Sequence, residues 1–206
     1  MQYSDVIFDI DGTLTDSNHI VRQCLQKTAM QFLDRHLTDE EIASVCGAPA
    51  VPAVKGLGMD ESAASVWLEL INEELGDVKL FDGVSEVLHT LKDNGLRLGI
   101  ITSESRCEYE AGFGLMEESS LFDLVLTADD TVYHKPHPGV IVNYIESVST
   151  YPERVLYVGD SLGDMTCASD ACVFAAQAMW ADGVKESRLA DFHIDKPQDL
   201  LEILGL

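Results

Sequence analysis

Val6-Ile7-Phe8-Asp9-Ile10-Asp11-Gly12-Thr13-Leu14-Thr15-Asp16 is the stretch on which the fold turns. Its apolar run from Val6 to Phe8 stops at two carboxylates one residue apart, followed by a glycine. A short apolar run closed by turn residues reads as a strand buried on both faces, as in a parallel sheet. Ligand sites of open α/β sheets lie outside the carboxyl ends of the strands, which is where Asp9 and Asp11 would stand. Gly12 frees the backbone to turn sharply there, so that amides can approach a ligand. Taken alone, the stretch also reads as a strand followed by an acidic turn, and the remainder of the chain has to decide between the two.

Downstream of Asp16 the pattern is helical. Ser17 stands as N-cap of a helix to about Leu33, with Val21, Leu25, Thr28, Ala29 and Phe32 on one face. Thr38 begins a short helix carrying Ile42, Val45 and Cys46, stopped by Gly47. The segment from Gly47 to Gly58, with two prolines and three glycines, cannot be one regular helix. Asp60 opens another helix, with Ala63, Trp67, Leu70 and Ile71 facing inward. From Asp82 onward the periodicity changes. A helix on Val84, Val87, Leu88 and Leu91 ends at Asn94-Gly95, and strands at 96–101, 124–127, 155–158 and 172–176 alternate with helices at 107–116, 139–147 and 165–169 before a closing helix at 197–204. Such alternation implies an α/β, doubly wound parallel sheet. We expect it to be formed by residues 1–16 and 81–206, with an inserted all-helical domain at 17–80.

Charge narrows the partners. Against 13 Lys+Arg stand 36 Asp+Glu in 206 residues, a net charge of −23, which argues against nucleic acid or an anionic membrane surface. A phosphate bound by so negative a chain needs a local positive source, most simply a divalent cation. No stretch approaches the ~20 apolar residues that span a bilayer, and the N-terminus lacks the form of a secretory signal. Cys24, Cys46, Cys107, Cys167 and Cys172 are odd in number and form no Cys-x-x-Cys pair, so reduced, mostly packed thiols in a cytoplasmic protein are expected. Oligomeric state is not legible in these patterns.

Three strand ends carry polar residues of distinct kinds: Asp9 with Asp11, Thr102 with Ser103, and Asp160 with Asp164. Lys135, between His134 and Pro136-His137-Pro138, starts a helix near the same edge, so a parallel sheet would gather all four sets in one crevice. In their order these segments resemble the four motifs of the haloacid dehalogenase superfamily. The helical block between the first and second matches the phosphoglycolate phosphatase-like branch, which carries a helical cap there.

The resemblance implies a Mg²⁺-dependent phosphatase that hydrolyses a small phosphorylated metabolite, phosphoglycolate first among the guesses, through an aspartyl-phosphate. It makes Asp9 the nucleophile and Asp11 the general acid, then base. Thr102 would donate to a phosphoryl oxygen, with Ser103, Gly12 and Thr13 nearby, and Lys135 would place fixed positive charge between nucleophile and transferring group. Asp9, the Asp11 carbonyl and Asp160 would hold Mg²⁺, with Asp164 bound directly or through water. Thr13, where phosphoglucomutase-like members usually have an apolar residue, favours hydrolysis over a phosphomutase. A catalytically silent binding protein is the other competing reading. Among the block's cations Arg22, Lys27, Arg35, Lys55 and Lys79, Lys55 is the best placed to touch a substrate anion. Asn18 and His19 could line the hinge or the site, whereas His134 and His137 read as local structural residues.

Overall fold

A computed structural model describes residues 2–45, 48–74 and 78–206, so the expectations for Cys46, Gly47 and the side chain of Asn18 lie outside the described residues. Six strands form one parallel sheet in the order β3-β2-β1-β4-β5-β6. They are β1 (Asp5–Phe8), β2 (Arg97–Ile101), β3 (Leu124–Leu126), β4 (Val155–Gly159), β5 (Phe174–Ala178) and β6 (Phe192–Ile194). The chain winds outward on both sides of β1, which places the topological switch point between β1 and β4.

Alternation along the strands divides two cores. Val6, Phe8, Leu156 and Val158 point to one face, where α5 (Val84–Asp93) and α9 (Asp199–Leu204) pack through Val84, Val87, Leu88, Leu91, Leu200 and Leu204. Ile7, Val155 and Tyr157 point to the other, under α7 (Gly139–Val148) and α8 (Leu162–Asp170). Gly99 of β2 lets the Tyr144 ring of α7 lie against the sheet, since a Cβ there would stand 2.3 Å from that ring. Both faces are covered, which is why the strands read as continuous apolar runs.

Helices α1 (Asn18–Leu33), α2 (Asp39–Ala43), α3 (Ala50–Gly56) and α4 (Ala63–Glu74) close around a third core containing Ile20, Leu25, Ala29, Ile42, Val54, Trp67 and Ile71. The Trp67 indole N–H donates to the Val21 carbonyl at 3.1 Å. The chain leaves and re-enters the sheet region at one place. The Asp16 amide donates to the Lys79 carbonyl at 2.9 Å and the Phe81 amide to the Leu14 carbonyl at 3.1 Å, while Thr15 and Leu80 form an antiparallel bridge.

Several elements differ from the expectation, each for a local reason. Residues 48–58 are not one helix, but they do contain α3; Pro52 lies in its first turn, where a missing N–H costs no helical bond. Asp60 does not open α4, because its carboxylate accepts from the Ser62 amide and hydroxyl and so makes a turn. The 107–116 helix is α6 (Arg106–Ala111), stopped by the non-helical Gly112 and followed by 3₁₀ turns at Phe113–Leu115 and Glu117–Leu121. β5 starts at Phe174, since Cys172 has φ +57° and serves the turn after α8. β6 was not foreseen: three edge residues are too few for a periodic signal. Of the described cysteines, Cys24 and Cys167 are buried and Cys107 and Cys172 exposed, so half of them are not packed. Among the described residues no helix is long and apolar enough to cross a membrane.

Candidate active site

The site follows from the register of the central strands. Phe8 pairs with Val158, and the Asp9 amide donates to the Val158 carbonyl at 2.9 Å, so β1 and β4 release their chains side by side. Asp9 and Asp160 thereby leave adjacent strands at the switch point. The Asp160 carbonyl is held by the Gln177 side-chain amide of β5 at 3.0 Å. Gly159 gives Asp164 room, for a Cβ there would fall 2.5 Å from its side-chain carbons.

Asp164 is seated in the first turn of α8 by a capping box. The Ser161 hydroxyl accepts from the Asp164 amide at 3.1 Å, while the Ser161 amide and hydroxyl donate to Asp164 Oδ2 at 3.0 and 2.6 Å. Asp164 Oδ1 accepts from the Tyr157 hydroxyl at 2.9 Å and from Lys135 Nζ at 2.8 Å. The same ammonium reaches Asp9 Oδ1 at 2.6 Å. Lys135, Asp9 and Asp164 are all buried. Burial would lower the Lys135 ammonium, but Asp164 and Asp9 outweigh it and hold it above its ordinary value. For Asp9, burial and then Asp164 push the carboxyl well up against the pull of Lys135. Asp164 goes the other way: burial raises it, yet Lys135 and the Ser161 donors bring it below the usual range.

Asp11 begins the turn out of β1. The Ile10 carbonyl accepts the amides of Thr13, Leu14 and Thr15 at 2.8–3.1 Å, and Gly12 takes φ +79°, a conformation that L side chains rarely adopt. Ser17, expected as a cap, makes no capping bond to α1; its hydroxyl donates to Asp11 Oδ1 in a short contact. Burial raises the Asp11 carboxyl, with that Ser17 bond opposing. Thr13 is buried, its hydroxyl has no partner among the described residues, and its carbonyl accepts the Trp180 indole N–H at 3.1 Å. Thr102 is buried at the end of β2, where its hydroxyl accepts the Glu104 amide at 3.1 Å and retains its own proton to donate; Ser103 is half-buried beside it.

Asp9, Asp160 and Asp164 offer oxygens that all lie within 4.8 Å of one another. A cluster of hard carboxylate oxygens, with Asp9 and Asp164 sharing one ammonium, suits a divalent cation of the Mg²⁺ class. Lys55 sits on the exposed last turn of α3, where its ammonium pairs with Glu61 at 2.6 Å. His19 stands 3.8 Å from Asp16 on the surface. His137 is occupied structurally, accepting the Gly139 amide at 2.9 Å and stacking on Tyr133.

Residues 6–178 match the family model of haloacid dehalogenase-like hydrolases. The chain belongs to this family. A protein assigned as pyrophosphatase PpaX of Clostridium perfringens is 31% identical over 97% of the chain and 96% of its own length. Pyrophosphatase PpaX of Anoxybacillus flavithermus is 29% identical over 100% and 99%. The crystal structure of a Lactobacillus plantarum protein assigned as a phosphoglycolate phosphatase superposes with a TM-score of 0.88, at 26% identity over 98% of this chain and 100% of that one. Family and relatives together put this haloacid dehalogenase-like hydrolase among enzymes that hydrolyse phosphoric esters.

Three residues of the site escaped the reading of the sequence. Tyr157 falls inside the strand expected at 155–158, and Ser161 and Glu104 carry no role in the motifs. A signal existed only for Ser161, whose Ser-x-x-Asp spacing is the form of a capping box.

Proposed function

We propose that the chain is a Mg²⁺-dependent phosphatase of a small phosphorylated metabolite, acting through a phosphoryl group carried on Asp9. The observation that carries this reading is the convergence of Asp9, Lys135 and Asp164 within 2.8 Å contacts at the β1/β4 switch point, with Asp160 joining the acidic oxygens.

In the first half-reaction an Asp9 carboxylate oxygen attacks phosphorus, the ester P–O bond breaks, and Asp11 gives its proton to the departing oxygen. In the second, Asp11 takes a proton from water; the water oxygen attacks phosphorus, the acyl-phosphate P–O bond breaks, and phosphate and Asp9 are regenerated. A raised Asp11 carboxyl supports the first of these duties. Lys135 spreads positive charge over the nucleophile and the transferring group, and Thr102 donates to a phosphoryl oxygen. Asp9, the Asp11 carbonyl and Asp160 would hold Mg²⁺, which when bound neutralises the carboxylates and the phosphate it brings together. Four donors already occupy the oxygens of Asp164, which supports a role in holding Lys135 over direct ligation. The block at 17–80 acts as the cap that excludes water.

Release of inorganic phosphate from a panel of esters with Mg²⁺ tests the reading, with phosphoglycolate and pyrophosphate as the first compounds because the relatives are named for them. Asp9→Asn should lower turnover by at least about 10³-fold with an unchanged circular dichroism spectrum. Turnover in D9N near that of the wild type would end the covalent mechanism.

A further inference from the structure

Glu104 stands two residues past Thr102, on the loop between β2 and α6, and is fixed from both sides. Its amide donates to Thr102 Oγ1 at 3.1 Å and its carbonyl accepts from the Ala128 amide at 2.8 Å. Its carboxyl is turned inward: Oε2 is buried and has no hydrogen-bond partner among the described residues. The charges that act on it are Asp11, Glu108, Asp9 and Lys135. A buried acceptor without a donor is costly, and native structures rarely keep one unless something else supplies the donor.

We propose that Glu104 reads the leaving group of the substrate, accepting a hydrogen bond from an ammonium or hydroxyl on the alcohol portion. The chain therefore favours phosphomonoesters of amino alcohols and diols over esters that carry a second anion. The inference rests on the phosphatase reading above. Its logic is positional: Glu104 is bonded through its amide to Thr102, the residue read as facing the phosphoryl group, so an unpartnered acceptor beside it can meet the group that departs. Its sign comes from charge. The Lys135 ammonium is committed to Asp9 and Asp164, and Mg²⁺, when bound, to the phosphoryl group and its own carboxylates, so neither offers a counter-charge to a second anion beside Glu104. A carboxylate on the leaving group would add repulsion in a site shielded from water, whereas a donor satisfies the orphaned oxygen.

Three two-carbon monoesters of near-equal length separate the possibilities: 2-aminoethyl phosphate, 2-hydroxyethyl phosphate and phosphoglycolate, assayed with Mg²⁺ beside p-nitrophenyl phosphate. The wild type should show kcat/KM for the first two at least about tenfold above that for phosphoglycolate. Glu104→Gln, nearly isosteric, should compress that ratio to about threefold or less, and E104A should do the same if its melting temperature holds. Phosphoglycolate turned over as well as the other two by the wild type, or a ratio unchanged in both variants, would overturn the proposal while leaving the phosphatase intact. No phosphate from any of the four esters would instead bring down the phosphatase reading, and the role of Glu104 with it.

Discussion

Lys135 is a buried cation whose ammonium is held by two carboxylates, at 2.6 Å (Asp9) and 2.8 Å (Asp164). Its worth for folding and for chemistry can be separated. Lys135→Met keeps most of the length of the side chain but leaves two buried carboxylates facing each other without a counter-charge. Breaking a buried pair in this way costs about 3–5 kcal/mol, and loss of one fixed stabiliser of a transferring charge costs about 10²–10³ in kcat. Urea unfolding should therefore show a lower midpoint, and Mg²⁺ should recover part of that loss without restoring turnover. Full activity in K135M would remove Lys135 from the chemistry. At this scale the sequence was legible where a charge interrupts apolar surroundings, as with Asp9 and Asp164. It was silent on Glu104 and Tyr157, because a loop glutamate and a strand tyrosine look the same whether or not they face a site. For Lys55, a lysine of a glycine- and proline-rich segment, the structure shows an exposed pair with Glu61.

Among the elements, α8 does more than cover the sheet. Its capping serine satisfies the first turn and at the same time orients Asp164. Thr38 caps α2 through the same kind of box, with Glu41, far along the chain from the strand ends. Thr38→Ala and Ser161→Ala should each cost about 1 kcal/mol from the lost cap, a fall of about 2–4 °C in melting temperature for a chain of this size. Only S161A should also lower kcat, by about tenfold or more, because Asp164 and then Lys135 lose their seat. Equal kcat in the two variants would show that the box serves α8 alone. Strands of the sheet and the longer helices were readable from periodicity and from Gly and Asn stops. What was missed was short: β6 with three residues, and the break at Gly112 that turns one expected helix into two pieces. Pairing with the edge of β5 sets the first, whereas the second falls at a glycine, a stop that the sequence does carry.

At the level of the molecule, a net charge of −23 is carried by a fold that buries carboxylates at the mouth of its sheet. A cation bound there should stabilise the folded chain even with no substrate. At Mg²⁺ about 100-fold above its dissociation constant, mass action contributes about 2.7 kcal/mol, or about 5–10 °C in melting temperature for a protein of this length. Scanning fluorimetry should register that rise in the wild type and lose most of it in Asp160→Asn. An equal rise in both would mean that the ion sits elsewhere on the acidic surface.

The paired threads at Asp16–Lys79 and Leu14–Phe81 have a consequence for engineering. Entry and exit of the helical block lie one hydrogen bond apart, 2.9 Å between the Asp16 nitrogen and the Lys79 oxygen. A few residues would suffice to stitch the gap were the block excised, since closing so short a span costs little chain entropy. The sheet is in this sense a socket, and a foreign module whose own ends lie close together could be grafted into it without redrawing a single strand.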